Sequence, residues 1–373
     1  MITKMPYRYA FLLISLLMVS CSPEFSHQQP TATTVTFSSP VTTFVSSRTM
    51  MTTETPTPTQ ELNITGLPGG AYLIYTYENA LNNSSDSPVI YEVDMQSLNG
   101  VNSRTLYQAT YTYNSSFYKE ALLSSNQDHL IIFDYDQTTP TPEITNAVMF
   151  NLHTGKPEKV PPFPLGCLYL SLAPDAESWV GQCGSGGTAE LYYKNDKTSD
   201  QSAMITNCLA VNDQCESPQW SPDGKWLSYY RRQVPVGGGY NREDGVMLMS
   251  SNCVLQPSGC NHAPGVSDGW PDYAWSPDSQ FIATSFIPGH DPIFIYKVVN
   301  GTLVQYKVIP QITGTFIGQA IVWSPDGQSL AFSDGGADIY IVDVKNGNYK
   351  LLVQRDSKVD VLGMVQLGDG MTP

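Results

Sequence analysis

Charge is scarce in this chain. Only 14% of its 373 residues are Asp, Glu, Lys or Arg, against about a quarter in ordinary soluble domains. Cations are scarcer still, 19 against 34 carboxylates, for a net charge of −15. A surface of that sign repels phosphate backbones, which excludes nucleic acid as a partner. Histidine is limited to five residues. His27 lies in a Thr/Ser-rich stretch, and His129, His153, His262 and His290 are scattered, a thin supply for a metal site or a general base. No G-x-S-x-G nucleophile elbow occurs, because Cys183-Gly-Ser-Gly-Gly187 lacks the first glycine. Gly237-Gly-Gly239 lacks the Lys-Ser/Thr of a phosphate loop, and no two cysteines stand at the tight CxxC spacing of structural zinc sites. No catalytic residue, metal ligand or cofactor is therefore assigned. The apolar run Ala10–Val19 is too short to cross a bilayer.

What is present is a repeat. Trp220-Ser-Pro-Asp-Gly, Trp275-Ser-Pro-Asp-Ser and Trp323-Ser-Pro-Asp-Gly stand 55 and 48 residues apart, the spacing of one supersecondary unit used several times. Each word encodes a corner: Pro presets the turn, Asp follows, and Gly takes the left-handed site that closes a hairpin. Weaker copies lie at Leu172-Ala-Pro-Asp-Ala, Leu123-Ser-Ser-Asn-Gln and Leu67-Pro-Gly-Gly. Each of the six corners feeds an apolar strand, then a second one such as Asp338-Ile-Tyr-Ile-Val342. Four of those second strands meet a hairpin signal, at Asn99-Gly100, Thr154-Gly155, Asn300-Gly301 and Asn346-Gly347. A four-stranded antiparallel meander used six times predicts an all-β fold, a six-bladed β-propeller. Val359–Val365 is expected to complete blade one from the C-terminal side, with Glu61–Thr65 as its competitor.

The W-S-P-D-G corner, the apolar strand after it and the I-Y-x-V-D strand together resemble the TolB-like six-bladed propellers of bacteria. The resemblance covers about residues 64–370, sharp in three blades and degenerate in three. It implies the fold, since the matching residues are turn and packing positions. TolB-like relatives are associated with envelope protein complexes, so a role in the cell envelope is what the resemblance implies for partners.

The N-terminus reads as a targeting segment. Lys4 and Arg8 precede the apolar run, which ends in Leu17-Met-Val-Ser-Cys21. A small residue before Cys, and an apolar one three positions before it, look like a bacterial lipobox. That resemblance makes Cys21 the lipid-bearing first residue of the mature protein, anchored stably by its two or three acyl chains. Residues 27–60 are dominated by Thr, Ser, Pro and Gln, with Arg48 and Glu54 as their only formal charges. Such a stretch cannot bury enough surface to fold. It is expected to be a disordered tether spanning roughly 30–40 Å. The organisation is thus a lipoprotein signal peptide (1–20), a tether (21–60) and the propeller (61–373), held outside the cytoplasm on the cell membrane or outer membrane.

Six cysteines remain beside Cys21, an even number suited to an oxidising compartment. Cys167 and Cys183 lie about equally far from the corner at Pro174-Asp175, so they should face each other across neighbouring strands. Cys208 and Cys215 bracket a six-residue loop, as do Cys253 and Cys260. Three local disulfides are expected.

In an up-and-down blade, the first-to-second and third-to-fourth turns share one face of the ring. The other face carries the variable connections, where binding sites usually lie. Long loops are expected there in blades one, two and four, and short ones in blades five and six. The blade-four loop concentrates Arg231, Arg232, Tyr240, Asn241 and Arg242, and Arg and Tyr are favoured interface anchors. The expected function is a non-enzymatic binding or scaffold module for an envelope protein, peptide or glycan. The alternative is a metal-dependent hydrolase or lyase working in the central channel, for which His262 and His290 are the only pair worth considering.

Overall fold

The computed structural model describes residues 61–368, apart from 65, 81–87, 113–116, 137–142, 165, 185–188, 196–201, 209–212, 234–244, 256–262, 268–271, 285–291, 311–319 and 335. The signal peptide, Cys21 and the tether lie outside the described residues, as do Tyr240, Asn241, Arg242, Cys260, His262 and His290.

Six four-stranded antiparallel sheets make up the described chain. Blade one holds β1 (Gly70–Ala80), β2 (Pro88–Ser97) and β3 (Ser103–Thr112). Blade two is β4 (Phe117–Leu123), β5 (His129–Asp136), β6 (Glu143–Asn151) and β7 (Pro157–Glu158). Blade three is β8 (Cys167–Leu172), β9 (Ser178–Cys183), β10 (Glu190–Asn195) and β11 (Ala203–Met204). Blade four is β12 (Asp213–Trp220), β13 (Trp226–Gln233), β14 (Gly245–Ser250) and β15 (Ala263–Ser267), with a one-turn helix α1 (Ser251–Leu255) after β14. Blade five is β16 (Tyr273–Trp275), β17 (Phe281–Thr284), β18 (Ile293–Val299) and β19 (Thr302–Ile309). Blade six is β20 (Ile321–Trp323), β21 (Ser329–Ser333), β22 (Asp338–Asp343) and β23 (Tyr349–Gln354). The last strand, β24 (Val359–Leu367), pairs with β1 and completes blade one. This is the expected six-bladed propeller.

The repeated corner works through side chains. Ser221, Ser276 and Ser324 donate their hydroxyls to the Asp two residues on, at 2.8, 2.6 and 2.6 Å. The same oxygens accept the amides that open the next strand, at 3.0, 2.9 and 2.8 Å. The left-handed site follows at Gly224 (φ +68°), Ser279 (+58°) and Gly327 (+67°). The degenerate copies keep the geometry with other residues. Ser124 donates to Asn126 at 2.7 Å, with Gln127 at φ +63°. Asp175 accepts the Glu177 amide at 2.9 Å, with Ala176 at φ +53°.

The word's tryptophan ties its blade to the previous one. Trp275 Nε1 donates to Ser228 on β13 at 2.7 Å, and Trp323 Nε1 to the Ala274 carbonyl on β16 at 3.1 Å. Trp220 is buried at the matching position, and its amide donates to Ser171 on β8 at 3.1 Å. Packing between blades, not within them, therefore builds most of the core.

Ring closure has its own lock. The β24–β1 register runs from Gly70 opposite Leu367 to Tyr77 opposite Val359. Just after β23, Arg355 reaches the buried carboxylate of Asp94 on β2 and donates to the Tyr75 hydroxyl at 2.8 Å. Its guanidinium lies 5.6 and 5.0 Å from the Tyr75 and Tyr77 ring centroids, within cation–π range. Glu61–Thr65 does not take the closing slot. Leu62 and Ile64 are buried instead in the core shared by blades one and two, where the Leu62 amide donates to the Gly155 carbonyl at 2.8 Å.

Two of the expected disulfides are in place. Cys167 and Cys183 stand directly opposite on β8 and β9, and Cys208, ahead of β12, joins Cys215 on that strand. Cys253, on α1, is disulfide-bonded too.

The blade-five connection between β17 and β18 falls on residues outside those described. The four-residue link in blade six is short, as expected.

Two outcomes follow from this packing. Trp275→Ala is expected to lower stability by about 3–5 kcal/mol, the cost of emptying a buried aromatic site, read from urea unfolding; a loss under about 1 kcal/mol would contradict the pinning role. Arg355→Met strands the Asp94 carboxylate and is expected to cost about 2–4 kcal/mol, less than a fully buried partner would because Arg355 is a third exposed. Adding Asp94→Asn should recover much of that loss in a double-mutant cycle.

Candidate functional site: the acidic mouth of the central channel

The inner strands β4, β8, β12, β16, β20 and β24 surround a cavity of about 670 Å³. All six run from the variable-loop face toward the corner face, so their first residues line the channel mouth on the loop face. Three glutamine and tyrosine bonds stitch the wall from blade to blade. Gln182 accepts the Ser217 amide at 3.2 Å, Gln219 donates to the Tyr273 carbonyl at 2.8 Å, and the Tyr273 hydroxyl donates to the Ser217 carbonyl. Bulges in β8 and β12 set Tyr169 (φ +48°) and Ser217 (φ +50°) into the cavity lining. Re-aiming one side chain is a usual role of such a bulge. Tyr169 is left 58% exposed there.

Carboxylates gather in this region from strands far apart in sequence. Asp272 stands at the head of β16, Asp360 near the start of β24, Glu120 on β4 and Glu78 on β1. Burial and the nearby Asp360 charge push Asp272 up to about 7. Its Oδ2 is buried and has no hydrogen-bond partner among the described residues. Burial also raises Glu120; a Tyr135 hydrogen bond acts against the shift and Asp360 adds to it. Glu78 is raised by burial as well, opposed by Lys358 and a Tyr111 hydrogen bond and reinforced by Asp360. Asp360 is thus the common neighbour of the group, and its charge is felt by all three.

The two arginines expected to sit in a loop lie on β13 instead, because pairing with β12 continues as far as Gln233. Arg231 is committed to the buried Asp213, its Nε donating at 2.6 Å. Arg232 lines the channel and bonds Gln214 and Glu216. Both arginines are therefore bound to neighbouring side chains on blade four. Sequence reasoning missed Asp272, Asp360, Glu120 and Glu78. A signal for two of them existed: a carboxylate three residues before the corner word falls on the inner strand, as for Asp272 before Trp275 and Glu120 before Leu123.

Neither described histidine lines the cavity. His129 Nε2 meets Glu158 at 3.0 Å and His153 Nε2 meets Asp128 at 2.7 Å, both on blade two. The one group of metal-ligand type among the described residues is Glu190 with Cys208 and Cys215. The disulfide between those cysteines occupies both sulfurs.

No protein-family model matches the chain, and no curated protein matches its sequence. Solved structures do. TolB from Acinetobacter baumannii aligns with a TM-score of 0.50 at 15% identity, over 79% of this chain and 67% of that one. A putative TolB from Agrobacterium tumefaciens gives 0.46 at 17% identity, over 74% and 99%. An oligogalacturonate lyase in complex with manganese gives 0.40 at 13% identity, over 78% and 86%. The fold is a TolB-like six-bladed propeller. At 15% identity the likeness to TolB carries architecture alone, so what this TolB-like ring does must be argued from its own channel.

The raised Asp272 has a measurable sign. An unfolded Asp titrates near 3.9, whereas in the fold Asp272 titrates at about 7. The folded state holds the extra proton between those values, so this group lowers stability progressively as pH rises from about 4 to about 7. Asp272→Asn should raise the melting temperature at about pH 8 and do so much less at about pH 4. Thermal melts across that range test it; an effect of equal size at both ends would exclude Asp272 as the titrating group.

Proposed function

We propose that this protein is an extracytoplasmic binding module, lipid-anchored through Cys21, whose channel mouth takes a cationic segment of an envelope protein or peptide. The observation that carries the reading is Asp272 in the wall of a 670 Å³ cavity, its buried Oδ2 without a hydrogen-bond partner among the described residues and the Asp360 charge nearby. Lys358 pairs with Asp360 at 2.7 Å and acts on Glu78, but Asp272 and Glu120 feel burial and the Asp360 charge with no cation beside them among the described residues. A lysine, arginine or terminal amine placed there relieves both. Tyr169 adds an exposed aromatic face to the same wall, suited to a cation–π contact. The disulfides support residence in an oxidising compartment. A rigid ring that presents carboxylates at a concave mouth suits recognition of a cationic group.

A lysine-rich peptide and a glutamate-rich peptide of equal length, titrated by fluorescence anisotropy, separate the readings. The lysine-rich peptide is expected to bind with strong salt dependence, and Asp272→Asn with Asp360→Asn to weaken it at least about tenfold. A protein that ignores both peptides but retains a stoichiometric divalent metal after purification would favour the metal-dependent hydrolase or lyase instead.

A further inference from the structure

Large apolar side chains are exposed in one district of the ring. Nine are more than a third exposed among the described residues, and six of these belong to the outer hairpins of blades five and six: Val299, Val304, Tyr306, Val308, Tyr349 and Leu351. The other three, Val101, Tyr169 and Met204, are scattered over blades one and three. An apolar cluster of this kind on a soluble surface marks an interaction site.

Lysine keeps it company. Lys297, Lys307, Lys345 and Lys350 lie on β18, β19, the β22–β23 turn and β23. None of the four is paired with a carboxylate among the described residues. The segment 292–310, which carries β18 and β19, contains no Asp or Glu at all, in a chain of net charge −15. The two hairpins are also fixed to each other. Lys307 Nζ donates to the Lys345 carbonyl at 2.7 Å, joining β19 to the blade-six turn. Tyr306 packs on Phe281 at 5.0 Å between centroids, and Lys297 lies 5.9 Å over the same ring.

Edge strands often carry lysine simply to block pairing with another sheet. That need is met by charge alone and gives no reason for valine, tyrosine and leucine to stand exposed beside it. Cation, tyrosine and aliphatic side chain on one convex surface is the combination that suits a bilayer interface. There tyrosine sits at headgroup depth, aliphatics enter the acyl boundary, and lysine meets anionic headgroups.

We infer that the outer rim of blades five and six docks on an anionic lipid surface. The propeller then stands on its edge, its channel axis runs along the membrane plane, and the channel mouth stays open to a partner. The inference does not depend on what the channel binds.

The test uses residues 61–373, which close into a ring with their own core, so that the N-terminal segment contributes nothing. Vesicles of phosphatidylcholine alone, and of equimolar phosphatidylcholine and phosphatidylglycerol, are sedimented with the protein. Binding is expected to the anionic vesicles, weakly or not at all to the neutral ones, and to fall with salt. Each lysine near such a surface is worth about fivefold in partitioning, so replacing all four by Gln should reduce binding by at least about a hundredfold. Tyr306→Ala with Leu351→Ala should also weaken it while all lysines remain, which separates insertion from charge alone. Asp272→Asn should leave it unchanged. Circular dichroism melts confirm that each variant is folded. Equal binding to both vesicle types, or binding that survives the four-lysine change, overturns the inference. So does capture of a soluble anionic polysaccharide by a protein that ignores both vesicles.

Discussion

Everything in this molecule depends on the pairing of its last strand with its first. β24 begins some 280 residues after β1, yet the two lie side by side over eight register positions. Closing so long a loop is not prohibitive, since its entropy grows only with the logarithm of length. The difficulty is cooperative. Until β24 arrives, blade one lacks its inner strand and the channel lacks one wall, so the ring cannot close without a contact among the most distant in its sequence. The Arg355–Asp94 pair sits at this seam, and the tyrosines around it add cation–π and hydrogen-bond contacts. A buried carboxylate is a poor source of stability in itself. Its value here is register, because Asp94 on β2 accepts its charge partner only when blade six has come round to meet blade one.

The blades could be counted from the sequence because the corners of blades two to six share the same three parts. These are a left-handed residue, an acceptor side chain just before that residue, and a hydroxyl to close the turn. Gly224 and Gly327 announce the first requirement, while Gln127, Ala176 and Ser279 meet it at some cost in backbone strain. Asn126 replaces Asp at one corner without changing its hydrogen bonds. Degenerate spelling was therefore still legible. Cys167 and Cys183 could be paired for the same reason, since their distance from a recognised corner fixed them as cross-strand neighbours. The lengths of strands were less legible. β13 runs on through Arg231 and Arg232, where Asp213 and Gln214 on β12 offer them partners.

The channel site was illegible for a different reason. Glu78, Glu120, Asp272 and Asp360 belong to four strands in three blades, and no window of the sequence contains two of them together. Only radial closure brings them into range of one another. A motif search looks for residues that act together because they are close in the chain. A propeller channel does the opposite, and each blade contributes a residue or two at the same height. The position three before the corner word is the closest thing to a local signal, and it becomes meaningful only once the inner strand has been recognised as a wall.

The two charged districts then make sense as one arrangement. A chain with few cations does not scatter them evenly: four lysines with no carboxylate partner among the described residues stand on the rim of blades five and six, and carboxylates gather at the channel mouth. Each group repels its own kind, and each can be relieved by a partner of the opposite sign. The ring geometry keeps them from relieving each other, since the rim faces outward and the mouth opens along the axis. Two sites of opposite sign can thus persist on one small domain, and a surface held at the rim leaves the mouth free for a second ligand.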